Sequence, residues 1–281
     1  MAEAGQLRGK GRHLKIVDRG VGVPVVVVPG VQGRWEWMAP AIDALARRCR
    51  VITFSLADEP SCGAAFDESR GFWSYVDQVS RALDIAGVER AAICGVSYGG
   101  LIAAAFAARY PDRSESLVLV SALPPTWTPN RRVRFYLRAP RLLTPLFMVA
   151  SLRLYGEIAA AHGGRMRGAP AGISHAWRVL THMFSPSRMA RRVELLASVN
   201  LQQACAGLTL PTLLVTGEPE LERVVPVAST REYAALAPSS RTEVIPRTGH
   251  LGLITRPELF ASLVSGFAEQ AASAAPRRRV G

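Results

Sequence analysis

The sequence predicts an α/β fold built on a mostly parallel sheet, and three observations carry that prediction. Short apolar runs alternate along the chain with helical patterns, as strands joined by crossover helices do. The runs are continuous, Val25-Val26-Val27-Val28 above all, as expected of strands covered on both faces. Finally, Gly95-Val96-Ser97-Tyr98-Gly99-Gly100 stands between the apolar strand Ala91-Ala92-Ile93-Cys94 and an Ala-rich helical stretch from Leu101 to Tyr110.

Taken in order, residues 13–17 read as an exposed first strand. Residues 23–28 form a buried strand closed by Pro29-Gly30, and a Gly-bearing loop, 31–35, follows. Met38, Ile42 and Leu45 give residues 37–48 helical spacing, and 50–55 is the next strand. After a polar loop, residues 72–86 place Tyr75, Val76, Val79, Leu83 and Ile85 on an amphipathic helix, with Gly87 as its C-cap. Pro111 stops the helix after the Gly-rich turn, and 116–121 is again a buried strand. From Pro124, Pro125 and Pro129 onward the pattern changes to Arg-rich helical stretches up to about residue 198. Strand character returns at 211–217, followed by a polar loop at 218–223 and a helix at 227–236. A short last strand at 242–246 and a loop at 247–250 precede a terminal helix at 257–271, with Pro257 at its first turn. The domain plan is a core from 1–122 and 199–274, a helical cap at 123–198, and a basic, disordered tail at 275–281.

Composition narrows the class. A chain of 281 residues, 49% hydrophobic, fits a single α/β domain. No apolar run approaches the roughly 20 residues of a membrane span, and the first residues lack the apolar stretch of a secretory signal. Cys49, Cys62, Cys94 and Cys205 are scattered without metal-ligand spacing, which suits a reducing compartment. A cytoplasmic protein without metal is expected. The net charge of +12 is concentrated: residues 123–197 hold 12 Arg against Glu157 and Glu194 only, and Lys10 and Lys15 are the only lysines. No zinc-finger or aromatic-basic signature accompanies it, so nucleic acid is not expected as a partner. Residues 131–138 and 142–154 mix basic and apolar side chains as an interfacial helix would. The preferred reading leaves the arginines in water and turns the apolar face over the site. Oligomeric state is not fixed by the sequence.

In open parallel sheets ligands bind beyond the carboxyl ends of the strands. Val31, Ser97, Glu222 and His250 each follow a strand, so all four are expected on one edge. A serine hydroxyl needs a base within hydrogen-bond reach and an acid to orient that base. Of five histidines, His13 precedes the core and His162, His175 and His182 lie in the cap; His250 alone follows the last strand, in a Gly-bearing loop. The acid falls among Glu218, Glu220 and Glu222. Counting forward from Gly217 favours Glu220, counting back from Val225-Pro226 favours Glu222, and Glu222 is preferred with Glu220 second. The backbone N–H groups of Val31 and Tyr98 are the expected oxyanion donors.

Five segments in this order resemble the α/β-hydrolase family over about residues 12–270: Val25-Val26-Val27-Val28-Pro29-Gly30, Gly95-Val96-Ser97-Tyr98-Gly99-Gly100, Pro211-Thr212-Leu213-Leu214-Val215-Thr216-Gly217-Glu218, Val224-Val225-Pro226 and Gly249-His250-Leu251. The resemblance implies an eight-stranded, mostly parallel sheet with a lid inserted after the sixth strand, a Ser-acid-His triad and no cofactor. Three features depart from the family pattern: Pro29-Gly30 replaces His-Gly, the acid is Glu where Asp is usual, and Ser55-Leu56-Ala57-Asp58-Glu59-Pro60 replaces Asp-x-x-Gly-x-Gly. The expected activity is hydrolysis of a carboxylic ester of a small or apolar substrate. Lactone hydrolysis, C–C bond hydrolysis and acyl transfer use the same triad, and a non-catalytic ligand-binding protein on the scaffold is the alternative of another class. Trp127, Tyr136, Phe147 and Trp177, with Leu146, Met148 and Met183, are the cap residues expected to face substrate.

Overall fold

Strands that are apolar at every position need cover on both faces, and the fold supplies it. The computed structural model describes residues 13–274. Its seven strands are β1 (Val17–Arg19), β2 (Pro24–Val28), β3 (Arg50–Thr53), β4 (Ala91–Val96), β5 (Ser114–Val120), β6 (Thr212–Thr216) and β7 (Ser240–Val244). They form one sheet in the order β1-β3-β2-β4-β5-β6-β7. Only the β1–β3 pair is antiparallel.

Alternate residues of each buried strand enter opposite cores. Val26, Val28, Ile93, Leu117 and Leu119 pack on the face covered by α2 (Trp73–Ala86) and α3 (Tyr98–Arg109). Val25, Val27, Cys94, Val118 and Val120 pack on the face covered by α1 (Ala39–Leu45) and by the terminal helix. The end of α2 has a local cause. Gly87 takes φ +63, and the N–H of Val88 reaches the Leu83 carbonyl at 2.9 Å, closing the helix with a Schellman bond. Ile85, placed by its spacing on the apolar face, is instead 52% exposed.

Two expectations about the sheet change. Among the described residues there are seven strands, not eight, and the helical insert follows the fifth of them. The first strand starts later than expected because the N–H of Lys15 bonds the Cys62 carbonyl at 2.7 Å, drawing residues 13–16 off the edge toward a loop. The last strand, β7, is mostly exposed, as an edge strand is.

Between β5 and β6 the chain is helical: α4 (Arg131–Arg138), α5 (Thr144–Ser151), α6 (Tyr155–Ala161), α7 (Arg165–Thr181), α8 (Pro186–Leu196) and α9 (Leu201–Ala204). Asn130 starts α4 by accepting the Val133 N–H at 2.9 Å, and Ser185 caps α8. Leu201 and Cys205 return to the core beside α3. After β6 come α10 (Val227–Arg231) and α11 (Tyr233–Leu236), where one helix was expected. After β7 come α12 (Gly252–Thr255) and α13 (Pro257–Ala274). All four cysteines are buried and free. No helix among the described residues is long and apolar enough to cross a membrane. The expected tail, residues 275–281, lies outside the described residues.

Candidate active site

β2, β4, β5, β6 and β7 run parallel, so their carboxyl ends share one edge. Val31, Ser97, Glu222 and His250 all lie in the connections leaving that edge. Ser97 joins β4 to α3 with φ 54 and ψ −117, a conformation a β-carbon disfavours. The chain tolerates it because its neighbours have no side chains. A Cβ on Gly95 would lie 2.4 Å from the Gly99 oxygen, and one on Gly99 would lie 2.5 Å from the carbonyl oxygens of Val28 and Pro29. The turn is therefore pressed against the end of β2. Gly30 sits beside it, with its Cβ position 3.5 Å from the Ser97 Cβ. The Ser97 N–H donates to Val120 at 2.9 Å, and its carbonyl accepts from Gly100 and Leu123, which fixes the turn on three sides.

The three glutamates after β6 separate by environment. Glu218 accepts the Arg247 N–H at 2.9 Å and steadies the next loop. Glu220 is exposed. Glu222 is buried, accepts the N–H groups of Val224 at 2.8 Å and Val225 at 3.0 Å, and places Oε1 3.3 Å from His250 Nδ1. At that separation the last contact is an ion-pair distance rather than a short, aligned hydrogen bond. Gly249 allows the approach: a Cβ there would meet the Leu221 carbonyl oxygen at 2.3 Å. Burial pushes the Glu222 carboxyl up, but His250 and the two N–H groups outweigh it and hold it below its ordinary value. Burial pushes His250 down, but Glu222 and then the charge of Glu157 outweigh it and raise it above 6.5. With Nδ1 turned to Glu222, Nε2 is the nitrogen left for proton transfer.

Two buried charged residues of the helical insert reach this edge, and sequence reasoning missed both. Arg192 of α8 is fully buried; it donates to Asp58, to Glu59 and, at 2.7 Å, to the Val31 carbonyl. Tyr98 returns the contact through its hydroxyl, which donates to the Arg192 carbonyl at 3.1 Å. Glu157 of α6 is buried against the His250 loop. Its signal in the sequence was its isolation, one acid within Tyr-Gly-Glu-Ile-Ala-Ala-Ala of an otherwise Arg-rich segment.

The cap residues expected at the site divide. Tyr136 and Phe147 meet edge to face at 5.6 Å, and Phe147 continues through Phe184 to Trp37 of the core. Trp127 packs against the main core, whereas Trp177 is 67% exposed, with Leu146 and Met183 also at the surface.

The chain has known relatives. A family model described as the alpha/beta hydrolase fold matches residues 23–257, and the chain belongs to that family. A poly(3-hydroxyalkanoate) depolymerase of Ectopseudomonas oleovorans is 27% identical over 255 residues, covering 88% of this chain and 84% of the relative. Among solved structures, the enol-lactonase from Burkholderia xenovorans LB400 superposes with a TM-score of 0.73 at 21% identity, covering 90% of this chain and 95% of that one. A thermophilic esterase from Thermogutta terrifontis gives 0.70 at 21% identity, covering 92% and 93%. At these identities the two structures establish the shared fold.

Proposed function

We propose that the protein is a serine hydrolase that cleaves a carboxylic ester through an acyl-enzyme on Ser97. Ser97 Oγ attacks the ester carbon while its proton passes to His250 Nε2. The N–H groups of Val31 and Tyr98 receive the negative charge that forms on the carbonyl oxygen. Collapse of the tetrahedral intermediate breaks the C–O bond, and the departing alcohol takes the proton from His250. A water molecule, deprotonated by His250, then releases the acid and restores Ser97. Glu222, held by two N–H groups, keeps the imidazole oriented and favours its protonated form in the transition state.

The observation that carries this reading is the buried His250–Glu222 pair on the sheet edge that also holds the strained Ser97 turn. The polyester named for the Ectopseudomonas relative contains the bond class concerned. The aromatic contact of Tyr136 with Phe147 supports an apolar wall for the substrate. The test is a chain-length series of p-nitrophenyl esters, with fluorophosphonate labelling of Ser97. Ser97→Ala is expected to lose labelling and roughly three or more decades of rate. Activity that survives the substitution refutes the assignment.

A further inference from the structure

We propose that Glu157 is a positioning residue for His250, through which the helical insert holds the catalytic loop. One oxygen, Oε2, accepts the N–H of Gly249 at 2.8 Å and the N–H of Leu251 at 2.8 Å, the residues on either side of His250. Thr248 Oγ1 lies 3.5 Å from the same oxygen. The loop is thus gripped at both shoulders of the histidine by a carboxylate that is 2% exposed. Opposite this grip, Gly249 abuts the backbone of Leu221 and Glu222. The histidine loop lies between the acid loop and the insert, with little freedom toward either. A second tie runs in parallel, from Arg256 Nη2 to the Ala161 carbonyl at the end of α6 at 3.2 Å.

The surroundings give the carboxylate an electrostatic effect as well. The charged groups acting on it are His250 and Glu222. His162, just past the end of α6, and His175 and Arg178 on α7 line a neighbouring cavity of about 100 Å³, together with Leu251 and Thr255. Burial raises the Glu157 carboxyl to about 7, with the two N–H groups and His250 limiting the rise. Above that pH its charge favours the imidazolium that forms as Ser97 is deprotonated. Below it, Glu157 is neutral and keeps only its acceptor role.

The inference rests on the serine-hydrolase reading, and the experiment separates the two. Wild-type protein that neither hydrolyses p-nitrophenyl esters nor labels with fluorophosphonate overturns that reading. With an active wild type, Glu157→Gln keeps an acceptor oxygen and removes the charge. The expected result is a kcat near wild type at pH 6, a severalfold deficit at pH 8, and an acid limb shifted to lower pH, with KM little changed. Glu157→Ala, which removes the grip, is expected to lose tenfold or more in kcat at both pH values. A wild-type pH profile in Glu157→Gln overturns the proposal whether or not the alanine variant folds.

A separate observation concerns the outer face of the insert. We infer that this face docks on an anionic lipid surface. Neither α4 nor α5 buries any residue. Leu142, Leu146, Val149 and Leu152 recur at helical spacing and are 79%, 48%, 64% and 71% exposed. Exposed arginines flank them, including Arg138, Arg141 and Arg153. An apolar stripe bordered by guanidinium groups fits acyl chains beneath anionic headgroups. Arg131, Arg132, Arg134, Arg138, Arg141 and Arg153 are all exposed, and residues 131–154 hold no acidic side chain; this like charge opposes pairing with a second copy. The test is co-sedimentation with phosphatidylglycerol–phosphatidylcholine vesicles against phosphatidylcholine alone. Binding to the anionic vesicles that weakens in high salt and in a Leu146→Ser, Val149→Ser double variant supports the inference. No binding at low salt, equal binding to neutral vesicles, or self-association abolished by the same substitutions overturns it.

Discussion

Arg192 Nη1 donates to the Val31 carbonyl at 2.7 Å, so a fully buried guanidinium from the helical insert holds the loop that follows β2. Gly33 lies flat on the same group, since a Cβ there would fall 2.4 Å from Nη2. The guanidinium also faces Asp58 and Glu59, both almost wholly buried. Replacing Arg192 with Met leaves two carboxylates in low dielectric with one distant partner, Arg188. The expected cost is about 3–5 kcal/mol of stability, read from urea melts. Arg192→Lys is expected to recover only part of it, because a single ammonium does not span all three acceptors.

In the proposed reaction the pair of Glu222 with His250 sets the pH dependence. His250 must be neutral to accept the Ser97 proton, and its pKa is raised above 6.5. Activity is therefore expected to fall as pH drops through a midpoint above 6.5. Glu222→Gln removes the charge that supports the imidazolium. The midpoint should move down, and kcat should fall by about two to four decades. Glu220 is exposed, so Glu220→Gln is expected to leave both quantities unchanged. Rate profiles from pH 5 to 9 for the three proteins decide the matter.

Much of this site was legible because it is written in local chemistry. The Gly95 and Gly99 pair announces a turn that only small residues permit, and Val25 to Val28 announces a strand with no solvent face. The loops after the strands then follow from parallel order. The choice between Glu220 and Glu222 was less legible, since counting forward from Gly217 and back from Val225-Pro226 pointed to different residues; the burial of Glu222 beside His250 and the exposure of Glu220 distinguish them. What stayed hidden depends on long-range contact. Arg192 meets Val31 across 161 positions and Glu157 meets Gly249 across 92, and no local pattern encodes either meeting. The start of the first strand was misplaced for a similar reason: residues 13–16 are drawn off the edge by the bond from the Lys15 N–H to the Cys62 carbonyl.

Two glycines of the same chain should respond differently to alanine. Gly95 has no free space, its Cβ position lying 2.4 Å from the Gly99 oxygen and 2.7 Å from the Ala103 Cβ. Gly95→Ala must shift the Ser97 turn, with an expected loss of about 1–3 kcal/mol or more and of most activity. A Cβ at Gly87 would meet nothing within 4 Å among the described residues, and the φ of +63 is what opposes a side chain. Gly87→Ala is expected to cost about 1–2 kcal/mol and to leave kcat unchanged. Thermal melts paired with ester assays distinguish a packing defect at the site from a remote helix-end penalty.

Glu157 makes a prediction about stability that is independent of any substrate. Burial holds its carboxyl protonated up to about 7 in the folded chain, against 4.5 ordinarily. Between those values the folded state binds a proton that the unfolded state has released. Stability from this group is fully present below about pH 4.5 and is lost as pH rises to about 7. The full span corresponds to about 3–4 kcal/mol, of which about 2–3 kcal/mol falls between pH 5 and pH 8, and Glu157→Gln has no ionisation through which to lose it. Urea melts at pH 5 and pH 8 should therefore show the variant gaining on wild type by that amount at the higher pH. A difference that stays constant across the two conditions means the carboxyl titrates normally, and the His250 loop is then held by an ordinary ionised glutamate.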